Sequence, residues 1–151
     1  MLNKTQQGII DALRTVFSLV EVPIIYTVEV PDDFARPSFF LDLLPWRGRD
    51  LTTHMREYPI SWQLVYFHPQ DDAGTEDVEN LRAVGMRLDE LFGQVRSLEL
   101  PDGTFATITD FSWDERDGEG YATIALSVIL LRVDEDPALA QTLELAIAPK
   151  S

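Results

Sequence analysis

The feature of this sequence that most constrains its fold is a pair of strand-like segments joined by a short turn signal. Residues 105–113 and 121–133 are rich in β-branched, aromatic and other apolar side chains, a composition typical of strands. The segment between them contains Asp117 and Gly118, a dipeptide that favours a tight hairpin turn. We therefore expect a long antiparallel hairpin, with residues 114–120 as its connection.

Four further segments of the sequence predict strands. They are residues 24–30, 38–44, 55–67 and 95–100. The clearest is residues 55–67, where Ile60, Trp62, Leu64 and Tyr66 alternate with Ser61, Gln63 and Val65, the period of two expected of a strand. Pro59 lacks an amide hydrogen, which disfavours an interior position in the hydrogen-bonded ladder at that point.

Two amphipathic helices are also expected. The first has its apolar residues on one face of a 3.6-residue period, namely Ile9, Leu13, Val16, Phe17 and Val20. Asn3 and Gln6 form a capping signal at its start, and Pro23 ends it.

The second helix follows an acidic turn at residues 69–74. Thr75 is expected as its N-cap, with Glu76 and Asp77 in the first turn, where the helix dipole favours negative charge. Its apolar stripe comprises Val78, Leu81, Val84, Leu88, Leu91 and Phe92. Gly93 suits its C-terminal end.

The order helix, three strands, helix, three strands predicts an α+β fold, with two main helices packed against a mostly antiparallel β-sheet. The chain has 151 residues, a length that fits one domain. We assign residues 1–137 to this domain and residues 138–151 to a C-terminal tail or arm. The chain contains no cysteine, which excludes disulfides and thiolate metal sites. No apolar run is long enough to predict a membrane span.

The charge is strongly acidic. The chain carries 26 acidic and 12 basic side chains, a formal net charge of −14, so we expect repulsion from nucleic acid rather than binding. Solubility alone explains such a charge. The functional alternatives are an acidic surface past which DNA moves without adhering, or a protein that imitates DNA.

Motifs of catalysis are missing from the sequence. It contains no glycine-rich phosphate loop, nucleophile elbow or paired-histidine zinc motif. His54 and His68 flank the strand at 55–67 and are expected as surface or turn residues too far apart to share a metal. The acidic groups at residues 71–77 and 114–119 offer oxygen ligands but lack the spacing of an EF-hand loop. We expect no catalytic residue, metal or cofactor, and rate a small hydrolase or metal-dependent enzyme lowest.

One polar segment has the composition of an interface. An exposed tryptophan among arginines is typical of interaction hot spots, and the segment at residues 46–56 has that character. The residues predicted to form the interface are Trp46, Arg47, Arg49, Asp50, Leu51, His54 and Arg56. The segment is expected to be a loop or a hairpin tip. The alternative is that Trp46 folds back onto the edge of the sheet.

The middle of the chain also resembles a known family. The pattern comprises Arg36-Pro37-Ser38-Phe39-Phe40, Leu43-Leu44-Pro45, Arg56-Glu57-Tyr58-Pro59-Ile60 and Tyr66-Phe67-His68-Pro69, followed by a helix with Leu81, Met86 and Leu88. It is similar to the tail terminator proteins of tailed phages and prophages, and the first helix and the last hairpin fit the same plan. The likeness is weakest beyond Asp134.

The resemblance implies a non-enzymatic virion protein at the head–tail junction, assembled in the host cytoplasm. Its partners would be further copies of itself in a homohexameric ring, the tail tube protein, the head–tail connector and, in a contractile phage, the tail sheath. The ring would end tube polymerisation, and DNA would pass through it without specific binding. The alternatives are another head–tail connector component, a tail tube subunit or, in a different class, an acidic DNA-mimic inhibitor.

Overall fold

The structure is a computed structural model that describes residues 1–70 and 77–131. Its helices are α1 (Leu2–Val16) and α2 (Val78–Leu88), the second continuing into a π-helical turn at Asp89–Gly93. Its strands are β1 (Ile24–Tyr26), β2 (Ser38–Leu43), β3 (Arg49–Asp50), β4 (Met55–Phe67), β5 (Ser97–Glu99), β6 (Phe105–Arg116) and β7 (Glu119–Leu131). The C-terminal tail predicted at residues 138–151 and most of the acidic group at 71–77 lie outside the described residues.

The strands form one sheet in the order β1-β2-β4-β7-β6-β5, and β3 pairs with the start of β4. The β1–β2 pair is parallel, and the other pairs are antiparallel. The predicted α+β class, with two helices against a mostly antiparallel sheet, is therefore confirmed. Neither described helix has the length and apolar character needed to cross a membrane.

Strand β4 is the centre of the sheet, and its predicted bounds at residues 55–67 are confirmed. It pairs with β7 along almost its whole length, from Met55 opposite Leu131. On its other side, β2 pairs with β4 only from Trp62 onward, and β3 pairs only with the first residues of β4. Pro59 lies between these two paired stretches, so this side of the strand does not need the amide hydrogen that proline lacks.

The predicted hairpin is present and tighter than expected. Strand β6 continues to Arg116 and β7 begins at Glu119, which leaves a two-residue turn of Asp117 and Gly118. Both turn residues have positive φ, 51° and 76°, as a type I′ hairpin turn requires. The residues at 114–116 and 119–120 belong to the strands rather than to the predicted loop.

Both helices pack on the same face of the sheet. The first helix brings Ile9 and Leu13 to the core, with Phe17 directly after its end. The second helix and its π-helical turn bring Leu81, Val84, Leu88 and Phe92. The sheet contributes alternate residues, including Ile60, Trp62, Leu64 and Tyr66 of β4 and Ala122, Ile124 and Leu126 of β7. The indole nitrogen of Trp62 donates a buried hydrogen bond of 3.1 Å to the hydroxyl of Thr5, which fixes α1 over the centre of the sheet.

The ends of both helices differ from the prediction. Helix α1 starts at Leu2, so Asn3 lies inside it and is not a cap. It ends at Val16 rather than near Pro23, and Val20 is 93% exposed. The cap of α2 is Asp77, whose carboxylate accepts a 3.0 Å hydrogen bond from the amide of Asn80. Thr75 lies outside the described residues.

Two further expectations are corrected by the structure. The strand predicted at residues 24–30 covers only Ile24–Tyr26. His68, expected as a surface or turn residue, follows the end of β4 but is 1% exposed. Arg36 donates a 3.1 Å hydrogen bond to its carbonyl oxygen. Its ring Nδ1 lies 2.7 Å from the carbonyl oxygen of Pro69.

Candidate interaction surface

The predicted interface residues lie on a short hairpin, residues 46–56, which we call the arginine hairpin. Strand β3 pairs with the start of β4, placing Arg49 opposite Glu57 and Asp50 opposite Arg56. Thr52 closes the turn because its hydroxyl accepts hydrogen bonds from the amides of His54 and Met55, at 3.2 Å and 3.0 Å. The interpretation of this segment as a hairpin tip is confirmed.

Tyr58 organises the base of the arginine hairpin. The Trp46 ring lies 5.9 Å from the Tyr58 ring, centroid to centroid, and the Arg56 guanidinium lies 5.7 Å from the Tyr58 ring centroid. A Cβ atom added at Gly48 would lie 2.7 Å from Arg56 Nε and 2.8 Å from Tyr58 Cε1. A side chain at position 48 would therefore force the Arg56 and Tyr58 side chains to shift.

Trp46 is both packed against the sheet and partly exposed, so each of the two alternatives considered for it applies in part. Its contact with Tyr58 places it against β4, as the fold-back alternative supposed. It nevertheless stays 42% exposed. An indole held in place on one side and open to solvent on the other loses little conformational entropy on binding, which suits it to anchor a partner.

Charges on the arginine hairpin are partly paired with one another. Arg49 forms an ion pair with Glu57, and Arg56 binds Asp50 at 2.8 Å. Asp50 also raises the pKa of Arg56 through this hydrogen bond. Arg47 is exposed, and no ion pair of this residue is formed within the described part of the chain.

Glu57 ties the arginine hairpin to strand β7. The Ser127 hydroxyl donates a 2.7 Å hydrogen bond to its carboxylate. This bond and the one from Arg49 hold the pKa of Glu57 below its ordinary value, against the opposing effect of desolvation. The charged carboxylate is therefore the form that fixes the hairpin to the sheet.

Exposed apolar side chains surround the same end of the sheet. Met55 begins β4 and lies opposite Leu131, the last residue of β7. Both are partly exposed, as are Leu51, Ile129 and Leu130. A groove of about 480 Å³ runs beside them, between Met1, Phe105 and the last four residues of β7. This end of the molecule thus combines apolar area with arginines, the composition of an interface core rather than of an ordinary surface.

All seven predicted interface residues are brought together on one hairpin. His54 differs from the others because its ring Nδ1 is buried without a hydrogen-bond partner. Gly48, Tyr58, Glu57 and Ser127 support the surface but were not predicted. The Tyr58 ring could have been suspected from its place just beyond the hairpin, whereas nothing local connects Glu57 to Ser127, 70 residues away.

The two histidines considered as metal ligands remain apart. His54 and His68 lie at opposite ends of β4, as expected. Within residues 1–70 and 77–131, no three histidine or acidic side chains are arranged to hold a metal ion.

Comparison with protein families gives a match that spans this fold. A family model described as "Phage tail terminator protein" matches residues 5–138. The matched range contains almost all of α1, every strand of the sheet, α2 and the arginine hairpin. Comparison with curated proteins gave no match. The family match covers most of the chain, and the chain therefore belongs to the phage tail terminator family, whose members are structural proteins of the phage tail.

Proposed function

We propose that this protein forms a ring, a homohexamer, on the last ring of the tail tube. The ring ends polymerisation of the tube and presents its other face to the head–tail connector. The family match over residues 5–138 is the observation that carries this proposal. The protein acts in the virion tail at the head–tail junction after assembly in the host cytoplasm, and in a contractile phage the ring also meets the sheath.

The arginine hairpin supports self-association. It adds little to the buried core, since none of its side chains belongs to the main core cluster. It nevertheless holds an ordered tryptophan, two other exposed apolar residues and three arginines at one end of the sheet. Tryptophan and arginine dominate the binding energy of protein interfaces. The proposed role of Trp46, Arg47, Arg49, Asp50, Leu51, His54 and Arg56 is contact with a neighbouring tail protein.

The acidic charge supports a channel through which DNA passes. A chain with a net charge of −14 repels the phosphate backbone, so a ring of such chains would not retain DNA. We expect carboxylates to line the channel. A density map of the ring with a neutral or basic lumen would contradict this part of the proposal.

Negative-stain microscopy and native mass measurement of the purified protein, with and without preformed tail tubes, test the proposal. The expected result is a sixfold annulus, free or as a single cap on tube ends. Open tubes built from this chain would instead identify a tube subunit. A monomer or dimer that leaves tube ends bare and blocks a nuclease would support the DNA mimic.

A further inference from the structure

A second exposed apolar surface lies at the other end of the sheet from the arginine hairpin. It comprises residues 19–33, which we call the edge surface. Its exposed apolar residues are Leu19, Val20, Ile24 and Val28. Within the described chain, its strand β1 pairs only with β2, so the outer edge of β1 is open to another chain.

The edge surface carries charge opposite to that of the arginine hairpin. No lysine or arginine occurs between Arg14 and Arg36, whereas the edge surface contains Glu21, Glu29, Asp32 and Asp33. Glu21 is paired with Arg87. The other three carboxylates are exposed and form no ion pair among the described residues. An acidic rim around apolar side chains complements the arginines around Trp46, Leu51 and Met55.

The start of strand β1 and the turn of the arginine hairpin lie toward opposite ends of strand β4. Ile24 of β1 lies level with Ser38 of β2, which lies opposite Phe67 at the far end of β4. The arginine hairpin joins β4 at Met55, the other end of the same 13-residue strand. At about 3.3 Å per residue this strand spans about 40 Å. The separation between these two points favours a contact between two copies of the chain over a contact within one chain.

We propose that the arginine hairpin of one copy docks on the edge surface of the next copy. This inference rests on the proposed ring and adds to it the two surfaces that meet. Because they differ, the contact is head-to-tail, and a chain of such contacts ends only when the last copy meets the first. Arg47, which forms no ion pair within residues 1–70 and 77–131, faces the carboxylates of Glu29 and Asp32. Trp46 and Leu51 pack against Val28 and the side chains beside β1.

Thiol cross-linking tests the contact directly. Because the chain contains no cysteine, a variant with Arg47→Cys and Glu29→Cys has only the two introduced thiols. A short bifunctional thiol reagent should join copies into a ladder of covalent multimers that stops at the ring size. When the single variants Arg47→Cys and Glu29→Cys are mixed in equal amounts, the cross-linked heterodimer should form in at least fivefold excess over either cross-linked homodimer.

The matched control replaces the edge cysteine by one on α2, as Arg47→Cys with Glu79→Cys. Glu79 is an exposed carboxylate on a helix, so accidental collisions should cross-link it as readily as Glu29. Equal ladders from the control and the test variant would overturn the inference. If microscopy still shows rings in that case, the proposed ring stands and only the assignment of its surfaces fails.

Charge reversal gives an independent readout that needs no reagent. Arg47→Glu and the pair Glu29→Lys, Asp32→Lys should each weaken self-association at least tenfold in sedimentation at low salt. Mixing the two variants should restore larger assemblies, since the reversed hairpin of one variant faces the reversed edge surface of the other and the two unreversed surfaces still match. Larger assemblies from either variant alone would contradict the head-to-tail contact.

Discussion

The guanidinium of Arg87 lies 4.1 Å above the centre of the Phe17 ring. The same side chain binds the carboxylate of Glu21 and the carbonyl oxygen of Val16. It thereby joins α2 to the end of α1, where the helix has stopped and its last carbonyl groups need donors. Glu21 raises the pKa of Arg87, and Arg87 in turn lowers the pKa of Glu21.

Replacing Arg87 should loosen this junction between the helices. We expect Arg87→Met to lower the free energy of unfolding by about 2 kcal/mol, because it removes a cation–π contact and charge-assisted hydrogen bonds. Methionine keeps the unbranched apolar part of the arginine side chain. Urea unfolding measures the loss. The control is Arg82→Met, since Arg82 is largely exposed and its one ion pair among the described residues has a length of 4.0 Å. The change in its free energy of unfolding should stay within about 0.5 kcal/mol. Equal losses would refute a special role for Arg87.

Trp113 fills the space between two glycines, and this arrangement gives a second prediction. A Cβ atom at Gly85 of α2 would lie 2.5 Å from Trp113 Nε1, while one at Gly120 of β7 would overlap the opposite edge of the same ring. The indole therefore cannot move away from either glycine.

Gly85→Ala should lower the free energy of unfolding by about 1–3 kcal/mol, although alanine is the better helix former. Thermal or urea unfolding measures the change. Combining Gly85→Ala with Trp113→Leu should cost less than the sum of the two single changes, because the clash is then relieved. A stabilised Gly85→Ala variant would contradict the close packing.

The hydrogen bond between Ser127 and Glu57 should be visible in the titration of that carboxyl group. Carbon-detected NMR should give Glu57 a pKa below its ordinary value of 4.5, as its hydrogen bonds predict. Ser127→Ala should move the pKa of Glu57 back toward 4.5. A titration unchanged by Ser127→Ala would show that the hydroxyl does not hold the carboxylate.

This lowered pKa also fixes the direction of a pH effect. A carboxylate whose pKa is lower in the folded state stabilises the fold above its unfolded pKa, and this contribution is lost as pH falls through the folded value. The arginine hairpin should therefore stay attached to the sheet at neutral pH and loosen in acid below about pH 4.5. Hydrogen exchange at Arg49 and Asp50 measures this, and Glu57→Gln should remove the pH dependence.

The base of the arginine hairpin can be disturbed without touching its exposed side chains. Gly48→Ala places a methyl group against Arg56 and Tyr58, so the hairpin must shift. We expect ring assembly to fall by at least tenfold, while the melting temperature changes by only a few degrees because the core is remote. Native mass and calorimetry measure the two effects. Arg82→Glu, on α2, is the control and should leave assembly intact.

Local signals in the sequence were sufficient to predict the central strand and the long hairpin of the sheet. Strand β4 was predicted at residues 55–67 because its apolar and polar residues alternate from Ile60 to Leu64. Asp117 and Gly118 located the hairpin turn because few residues accept positive φ at successive positions.

The errors lie where burial depends on distant parts of the chain. Val20 continues the apolar period of α1, yet the chain turns extended at Phe17, and Arg14 binds the carbonyl oxygen of Val22 at 2.6 Å. His68 follows a strand end, where exposure is the usual expectation, but it is buried, and its carbonyl oxygen accepts a hydrogen bond from Arg36, 32 residues away. Neither contact leaves a signal in the neighbouring sequence.

The candidate surface was predicted by composition and not by geometry. Trp46 and the three arginines were noticeable because they interrupt a run of strands in an acidic chain. Ser127, which binds Glu57 and so holds the hairpin in place, could be recognised only once the register between β4 and β7 was known. The acidic complement at residues 27–33 resembled an ordinary turn until the structure placed it directly after the edge strand β1.

Cryo-electron microscopy of intact virions, with this chain fitted into the density at the head–tail junction, tests the central claim most directly. We predict one ring of six copies between the last tube ring and the connector, with residues 46–56 of each copy against its neighbour. Density for this chain repeated along the tail, or its absence from the junction, would contradict the account.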